Sequence, residues 1–255
     1  MCVVSNGFRP IERAGVLRRA LQYAKPLGVV AMVHAEDASL SANGVLGESE
    51  VATRLGLAPV PPSAEIAVVA RDLEIVRETG GRLHFSHLTC ARSVELVRVA
   101  KQHGVAVTCD VTPHHLSLDV SSAEGYSLQA RVWPPLRTAA DRAALRAGLL
   151  DGTIDAIASD HRVVDSLEQE HAFEACTTGL HAYGAWWARV ASLGLTPSQL
   201  ARVTSIGPAQ IAGLGERTLG IGAVADVVVV DPAGQNVYAT IASGELRSLE
   251  GRTVS

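Results

Sequence analysis

Residues 82–111, RLHFSHLTCARSVELVRVAKQHGVAVTCDV, decide the fold. RLHFSHL (82–88) is a short apolar run that reads as a strand. SVELVRVAKQHG (93–104) follows helical spacing, with Ser93 placed as an N-cap and Gly104 just past its end. VAVTCDV (105–111) is again strand-like. Strand, helix and strand in this order make a βαβ unit, whose two strands lie parallel in one sheet.

The same alternation extends in both directions. Upstream, GVVAMVHAED (28–37) is strand-like. SAEIAVVARDLEIVRETGG (63–81) is a helix in which Ile66, Val69, Ala70, Leu73 and Val76 share a face, stopped by Gly80-Gly81. Downstream, DRAALRAGLLDG (141–152) is a helix opened by Asp141, and IDAIASD (154–160) is a strand. CVVS near the start supplies one more strand. Beyond residue 183 the pattern is mostly helical, with Thr196 as a cap and Pro197 at a first helical position. GIGAVADVVVVDP (220–232) is a separate strand signal closed by Asp231-Pro232. The expected fold is therefore α/β, with a parallel sheet covered by helices in residues 1–218 and a small C-terminal β element in 219–255. A closed (β/α)8 barrel needs eight strands. The four or five strands here read as the C-terminal half of such a barrel, strands 5–8.

Composition narrows the function classes. The 255 residues are 47% hydrophobic and 19% charged, which is a globular balance. A net charge of −4 gives no basic footprint for nucleic acid or an anionic membrane. No apolar run reaches the roughly 18 residues of a membrane span, and Met1-Cys2-Val3-Val4 runs into Ser5-Asn6-Gly7 without a signal-peptide core. Cys2, Cys90, Cys109 and Cys176 form no CxxC pair. Reduced thiols and a cytoplasmic location are the expectation.

His34, His87 and Asp160 each close a strand pattern. In a parallel barrel all strand C-termini open on one face, so the three would converge there. By strand alternation His87 shares a face with Leu83 and Phe85, while His84 points the other way. Two imidazoles and a carboxylate suit a divalent metal that activates water. On spacing alone, ordinary strand-end histidines and a helix-capping Asp fit as well.

VHAED, HFSHLTCARSVELVRVAKQHGVAVTCDVTPHHL, PPLRTAADRAALRAGLLDGTIDAIASDH and GIGAVADVVVVDP occur in the order found in dihydroorotases. Over nearly its whole length the chain resembles these cyclic amidohydrolases of pyrimidine biosynthesis. The resemblance implies a metal-dependent (β/α)8 barrel with a small β domain, interconverting dihydroorotate and N-carbamoyl-aspartate. It implies zinc held by His34, His87 and Asp160. It also makes Asp160 the catalytic acid–base that moves the proton of the attacking water to the leaving nitrogen.

The departures from that family's pattern matter as much. Its first-strand His-x-His pair would precede the region seen here. Asn6 stands where one form of the motif has a bridging Asp, and a neutral amide is a poorer ligand. Trp133 in RVWPPLR replaces a substrate-binding Asn, and an indole has one donor and no acceptor. In DHRVVD, Arg162, Val163 and Val164 replace Ala-Pro-His, whose last residue helps hold substrate. The remaining donors suffice for one zinc ion at most. Three readings follow: a weak or inactive dihydroorotase-type hydrolase with a small-molecule substrate, a noncatalytic pseudoenzyme relative scaffolding aspartate transcarbamoylase, or a truncated dihydroorotase. Unpaired edge strands favour self-association or a partner. Of the other polar groups, His114 and His115 are expected in structural hydrogen bonds, His103 at a helix end and His161 in a loop-shaping role. Arg137 reads equally as a substrate contact or a loop ion pair. Trp186 and Trp187 are expected in the core or an interface.

Overall fold

The computed structural model describes residues 3–164, 171–180, 182–215, 218–231 and 236–254. Its first seven strands are β1 (Val3–Ser5), β2 (Val30–His34), β3 (Leu46–Gly47), β4 (Pro59–Val60), β5 (Arg82–Ser86), β6 (Val107–Val111) and β7 (Ala156–Ile157). Five of them form one parallel sheet in the order β1-β2-β5-β6-β7. Four helices serve as crossovers between successive strands of that sheet, and these are α1 (Ala14–Ala24), α4 (Ser63–Thr79), α5 (Ala91–Gln102) and α7 (Ala139–Asp151). Short helices α2 (Ala38–Ser41) and α3 (Glu50–Leu55) flank the β3–β4 pair, and α6 (Pro113–Ser117) follows β6 directly. Helices α8 (Tyr183–Ala191), α9 (Pro197–Ala201) and α10 (Gly207–Ala212) complete the α/β part.

The core lies between the sheet and its crossover helices. Leu17 and Leu21 of α1, Val69 and Val76 of α4, and Val94 and Val97 of α5 are buried against Leu83 and Phe85 of β5. Because side chains alternate along a strand, His84 then faces the opposite side, inside the curve of the sheet. The register sets His84 beside Thr108 of β6. A second apolar cluster, containing Leu46, Val120, Val132, Leu136 and Phe173, joins the β3–β4 segment to the chain that follows β6. Arg131 and Arg137 are buried at this junction. Arg131 donates to the carbonyls of Cys176, Val45 and Glu174, and Arg137 to Val60 O and Thr89 Oγ1. Arg137 thus forms no loop ion pair among the described residues, and it also lines the cleft that holds His34, Glu36 and Trp133.

A separate antiparallel sheet forms at the C-terminal end from β8 (Val227–Val230), β9 (Val237–Ala242), β10 (Glu245–Leu249) and β11 (Arg252–Thr253), in the order β11-β10-β9-β8. Asp231 follows β8, and Pro232 lies outside the described residues. Among the described residues no helix is long and apolar enough to cross a membrane.

Three local expectations are corrected. Helix α5 begins at Ala91 rather than after Ser93, whose buried hydroxyl has no hydrogen-bond partner among the described residues. The cap comes from elsewhere, since Ala91 N–H donates to Asp141 Oδ1 at 2.9 Å. Asp141 is also not the opening residue of α7. Thr138 is the N-cap, and Asp141 is the third helical residue of a reciprocal capping box. The 154–160 strand is shorter than expected, with Ala156–Ile157 paired to β6 and main-chain bonds from Asp155 to Cys109 O and from Ala158 to Val111 O on either side, before the chain turns at Asp160.

Candidate active site

The C-terminal ends of β2, β5 and β6 and the chain after β7 carry the polar residues. His34 is the last residue of β2 and is buried. Its Nε2 lies 2.8 Å from Glu36 Oε2, and its buried Nδ1 has no hydrogen-bond partner among the described residues. Glu36 also accepts from Ser41 Oγ and from Trp133 Nε1, the latter at 3.0 Å. Burial alone would push the Glu36 carboxyl up. The hydrogen bonds from His34, Ser41 and Trp133 outweigh it and draw the carboxyl below its ordinary value.

His87 lies one residue beyond β5 with φ +60°, a left-handed conformation uncommon for a side chain of this size. That turn overrides the alternation expected for it. Instead of joining Leu83 and Phe85 on the helix side, His87 reaches the same carboxylate as His84. Asp110 Oδ1 accepts from His87 N–H at 2.7 Å and faces His87 Nδ1 at 2.8 Å, while Asp110 Oδ2 faces His84 Nε2 at 2.9 Å. His84 Nδ1 in turn sits 2.8 Å from Thr108 Oγ1. Burial opposes charge on Asp110, but His87 and His84 more than reverse this and hold its carboxyl well below the usual range. Burial likewise works against a charged His87, yet the attraction of Asp110 wins and raises its pKa.

His87 Nε2 is left facing Asp160, whose Oδ1 is 3.9 Å away. Asp160 also has positive φ, +44°. Its Oδ2 lies 3.2 Å from His114 Nε2, out of line for a hydrogen bond, and neither ring nitrogen of His114 finds a hydrogen-bond partner among the described residues. His114 therefore departs from the structural role expected of it. Its neighbour His115 keeps that role, through Thr112 Oγ1 at 2.7 Å and Pro134 O at 2.9 Å. The Phe8 ring stands over both His34 and His87, with centroids 6.0 and 5.8 Å away. A narrow cleft opens beside the site, lined among others by His34, Glu36, Glu65, Trp133, Pro134 and Arg137.

Of the altered positions, Asn6 and Val164 are engaged away from the cleft, while Trp133 lines it. Asn6 donates to Arg9 O at 2.7 Å in an exposed turn. Trp133 gives its single donor to Glu36. Val164 approaches Gly179, in a loop tied down by Arg162 N–H to Leu180 O and Ala182 N–H to His161 Nδ1. His161 thus shapes the loop, as expected. His103 ends α5, with its Nδ1 2.8 Å from Val99 O. Trp186 packs on the core.

The donor chemistry suits one divalent cation. An anionic carboxylate only accepts, so Glu36 assigns the proton of His34 to Nε2 and Asp110 assigns that of His87 to Nδ1. In its neutral form each histidine keeps one bare nitrogen, with a carboxylate behind the other, as in metal-ligating histidines. The buried, unpartnered Nδ1 of His34 is the clearest such atom. As they stand, no three His, Cys, Asp or Glu side chains among the described residues are gathered closely enough to hold an ion. The chain presents oriented donors rather than an assembled cage.

Residues 10–247 match the model of the amidohydrolase family. The chain belongs to the amidohydrolase family. It is 44% identical over 233 residues to a protein named dihydroorotase from Pelotomaculum thermopropionicum, covering 89% of this chain and 55% of that one. It is 45% identical over 225 residues to a dihydroorotase from Deinococcus radiodurans, covering 86% and 54%. The chain thus spans little more than half the length of these curated relatives. Among solved structures, a D-hydantoinase from Thermus sp. matches with TM-score 0.83 at 23% identity, over 99% of this chain and 64% of that one. An L-hydantoinase from Arthrobacter aurescens matches with TM-score 0.81 at 21% identity, over 100% and 65%. These structural matches establish an α/β fold of the amidohydrolase type.

Glu36, His84, Thr108 and Asp110 received no role from the sequence. The signal for Asp110 was present in VTCDV, since a carboxylate inside an apolar strand is buried and must be paired. Glu36 had only its nearness to His34 to mark it.

Proposed function

We propose that this amidohydrolase-family chain carries the C-terminal part of a dihydroorotase-type site, for interconversion of dihydroorotate and N-carbamoyl-aspartate, and that alone it works weakly or not at all. The observation that carries the reading is the convergence of His87 Nε2 and His114 Nε2 on Asp160, at the open ends of a parallel sheet. Asp160 is the acid–base group, positioned to take a proton from an attacking water and return it to the leaving ring nitrogen. His34, His87 and Asp160 would hold zinc, which when bound lowers the pKa of water and polarises a carbonyl.

The five-stranded sheet is read as part of a (β/α)8 barrel whose remaining strands and ligands are not among the described residues. Asn6 and Val164, engaged away from the cleft, and an indole at Trp133 whose single donor goes to Glu36 support a depleted site and weak turnover. The same three residues favour a second reading, in which the chain is a noncatalytic partner of aspartate transcarbamoylase.

Cyclisation of N-carbamoyl-aspartate by the purified chain with added zinc, run beside Asp160→Asn, separates the two. Turnover lost at least 100-fold in Asp160→Asn supports the hydrolase. Equal, background rates for both proteins turn the question to binding of the transcarbamoylase.

A further inference from the structure

A second cavity, of about 210 Å³, lies at the opposite end of the sheet from His34 and His87 and has room for several water-sized groups. Its walls come from the N-terminal ends of three strands and from the chain around the α9–α10 junction. Arg82 is the first residue of β5, Thr108 the second of β6, and Asp155 stands just before β7. Arg202, Gly207, Gln210 and Ile211 close the other side. At Gly207 nothing larger fits, since a Cβ there would lie 2.1 Å from Asp155 O. The helical segment is therefore packed directly on the start of β7.

The charges around this cavity do not cancel. Asp155 is the one carboxylate among its lining residues, and Lys101 Nζ neutralises it from 2.7 Å. Arg202 donates to Leu149 O near the end of α7, a carbonyl that orients the guanidinium without cancelling its charge. The Arg82 side chain has no hydrogen bond or ion pair among the described residues. Two guanidiniums are thus left without a carboxylate of their own, in a chain whose net charge is −4.

The other polar groups set a second requirement. Asp110 faces His84 Nε2 and only accepts, so in its neutral form His84 has a bare Nδ1, to which the Thr108 hydroxyl donates at 2.8 Å. The Thr108 oxygen is left as an acceptor, and the Asp155 carboxylate keeps lone pairs beyond those used by Lys101 and Cys109 N–H. One cavity therefore offers donors for an anion, from Arg82, Arg202 and Gln210, and acceptors for hydroxyl groups, from Thr108 and Asp155.

We propose that this cavity binds a sugar phosphate, with the phosphate on Arg82 and Arg202 and the sugar hydroxyls on Thr108 and Asp155. The planar fork of a guanidinium matches a pair of phosphate oxygens. A bare phosphate would leave both acceptors and much of the volume unused. The site shares no residue with the dihydroorotase-type reading and does not depend on it.

The test titrates the 15N-labelled chain with ribose 5-phosphate, inorganic phosphate and ribose at constant ionic strength, and follows the main-chain 1H–15N signals of Arg82, Thr108 and Gln210. A saturable shift is expected with ribose 5-phosphate, weaker binding with inorganic phosphate and none with ribose. Arg82→Gln and Arg202→Gln should each weaken ribose 5-phosphate binding about tenfold or more, as expected for loss of a charged hydrogen bond. Arg247→Gln removes the same charge from the separate C-terminal sheet and should leave binding unchanged. No saturable shift at millimolar ribose 5-phosphate would overturn the site. Equal losses in all three variants would do so too, because binding would then follow net charge alone. Inorganic phosphate binding as tightly as ribose 5-phosphate would overturn the assignment to a sugar phosphate. Arg82 is exposed and makes no side-chain bond among the described residues, so Arg82→Gln keeps the test decisive even where Arg202→Gln fails to fold.

Discussion

Asp110 shows how much one residue can organise when it is buried. Two imidazoles and a main-chain N–H converge on it, and the left-handed turn at His87 exists in company with those bonds. Asp72 is the opposite case. It is 1% exposed on α4 and has Arg71 Nε at 2.7 Å. Arg71 also donates to Ile11 O and Glu12 O, so Asp72 shares its partner. Burial dominates and pushes the Asp72 carboxyl up from 3.8 to about 6. A carboxyl with a raised folded-state pKa opposes folding once it must ionise. Its cost is absent below the unfolded pKa and grows as pH rises through the window from about 4 to about 6. Asp72→Asn should therefore be more stable than wild type by about 2–3 kcal/mol at pH 8, with the difference vanishing near pH 4. Urea unfolding at both pH values checks this. A variant that is less stable at pH 8 would mean that the ion pair with Arg71 outweighs desolvation.

At the scale of elements, the helices begin where tertiary contacts let them. Asp141 completes the capping box of α7 through Thr138 and at the same time accepts from the first N–H of α5. One side chain thus locks two neighbouring crossover helices at the same end of the sheet. Thr138→Ala removes one cap and should cost about 1 kcal/mol. Asp141→Ala removes support from both helices and should cost about 2–3 kcal/mol, adding a buried unsatisfied donor to a lost cap. Equal losses in chemical denaturation would show that the bond to Ala91 contributes nothing. This double role also explains why Ser93 failed as a cap: the local candidate lost to an acceptor about fifty residues away in the chain, which no local pattern could reveal.

For the whole molecule, the parallel sheet has β1 on one edge and β7 on the other. The C-terminal antiparallel sheet leaves Val228, Val229, Tyr238 and Leu246 exposed, with Leu219 and Ile221 exposed in the segment before it. Open edges and apolar side chains together favour pairing with further polypeptide. We expect the isolated chain to self-associate, with sedimentation velocity giving a weight-average mass that rises with concentration. A monodisperse monomer over a hundredfold range of concentration would refute this.

The alternation of strand and helix, the parallel sheet and the separate C-terminal β element were legible in the sequence, because burial of an apolar face imposes periods of 2 and 3.6 on the residues that make it. His34, His87 and Asp160 stood out as candidates because each interrupts an apolar run near the point where a strand ends. What surrounds them was not legible. That His87 leaves the face its parity assigns, that His84 meets it on Asp110, that Trp133 serves Glu36 and that His114 approaches Asp160 are contacts between residues far apart in the chain. Sequence periodicity reports which side of an element is buried. Only the packed structure decides which partners meet there, since the direction of a hydrogen bond depends on the register of neighbouring strands and on single left-handed turns that no period encodes.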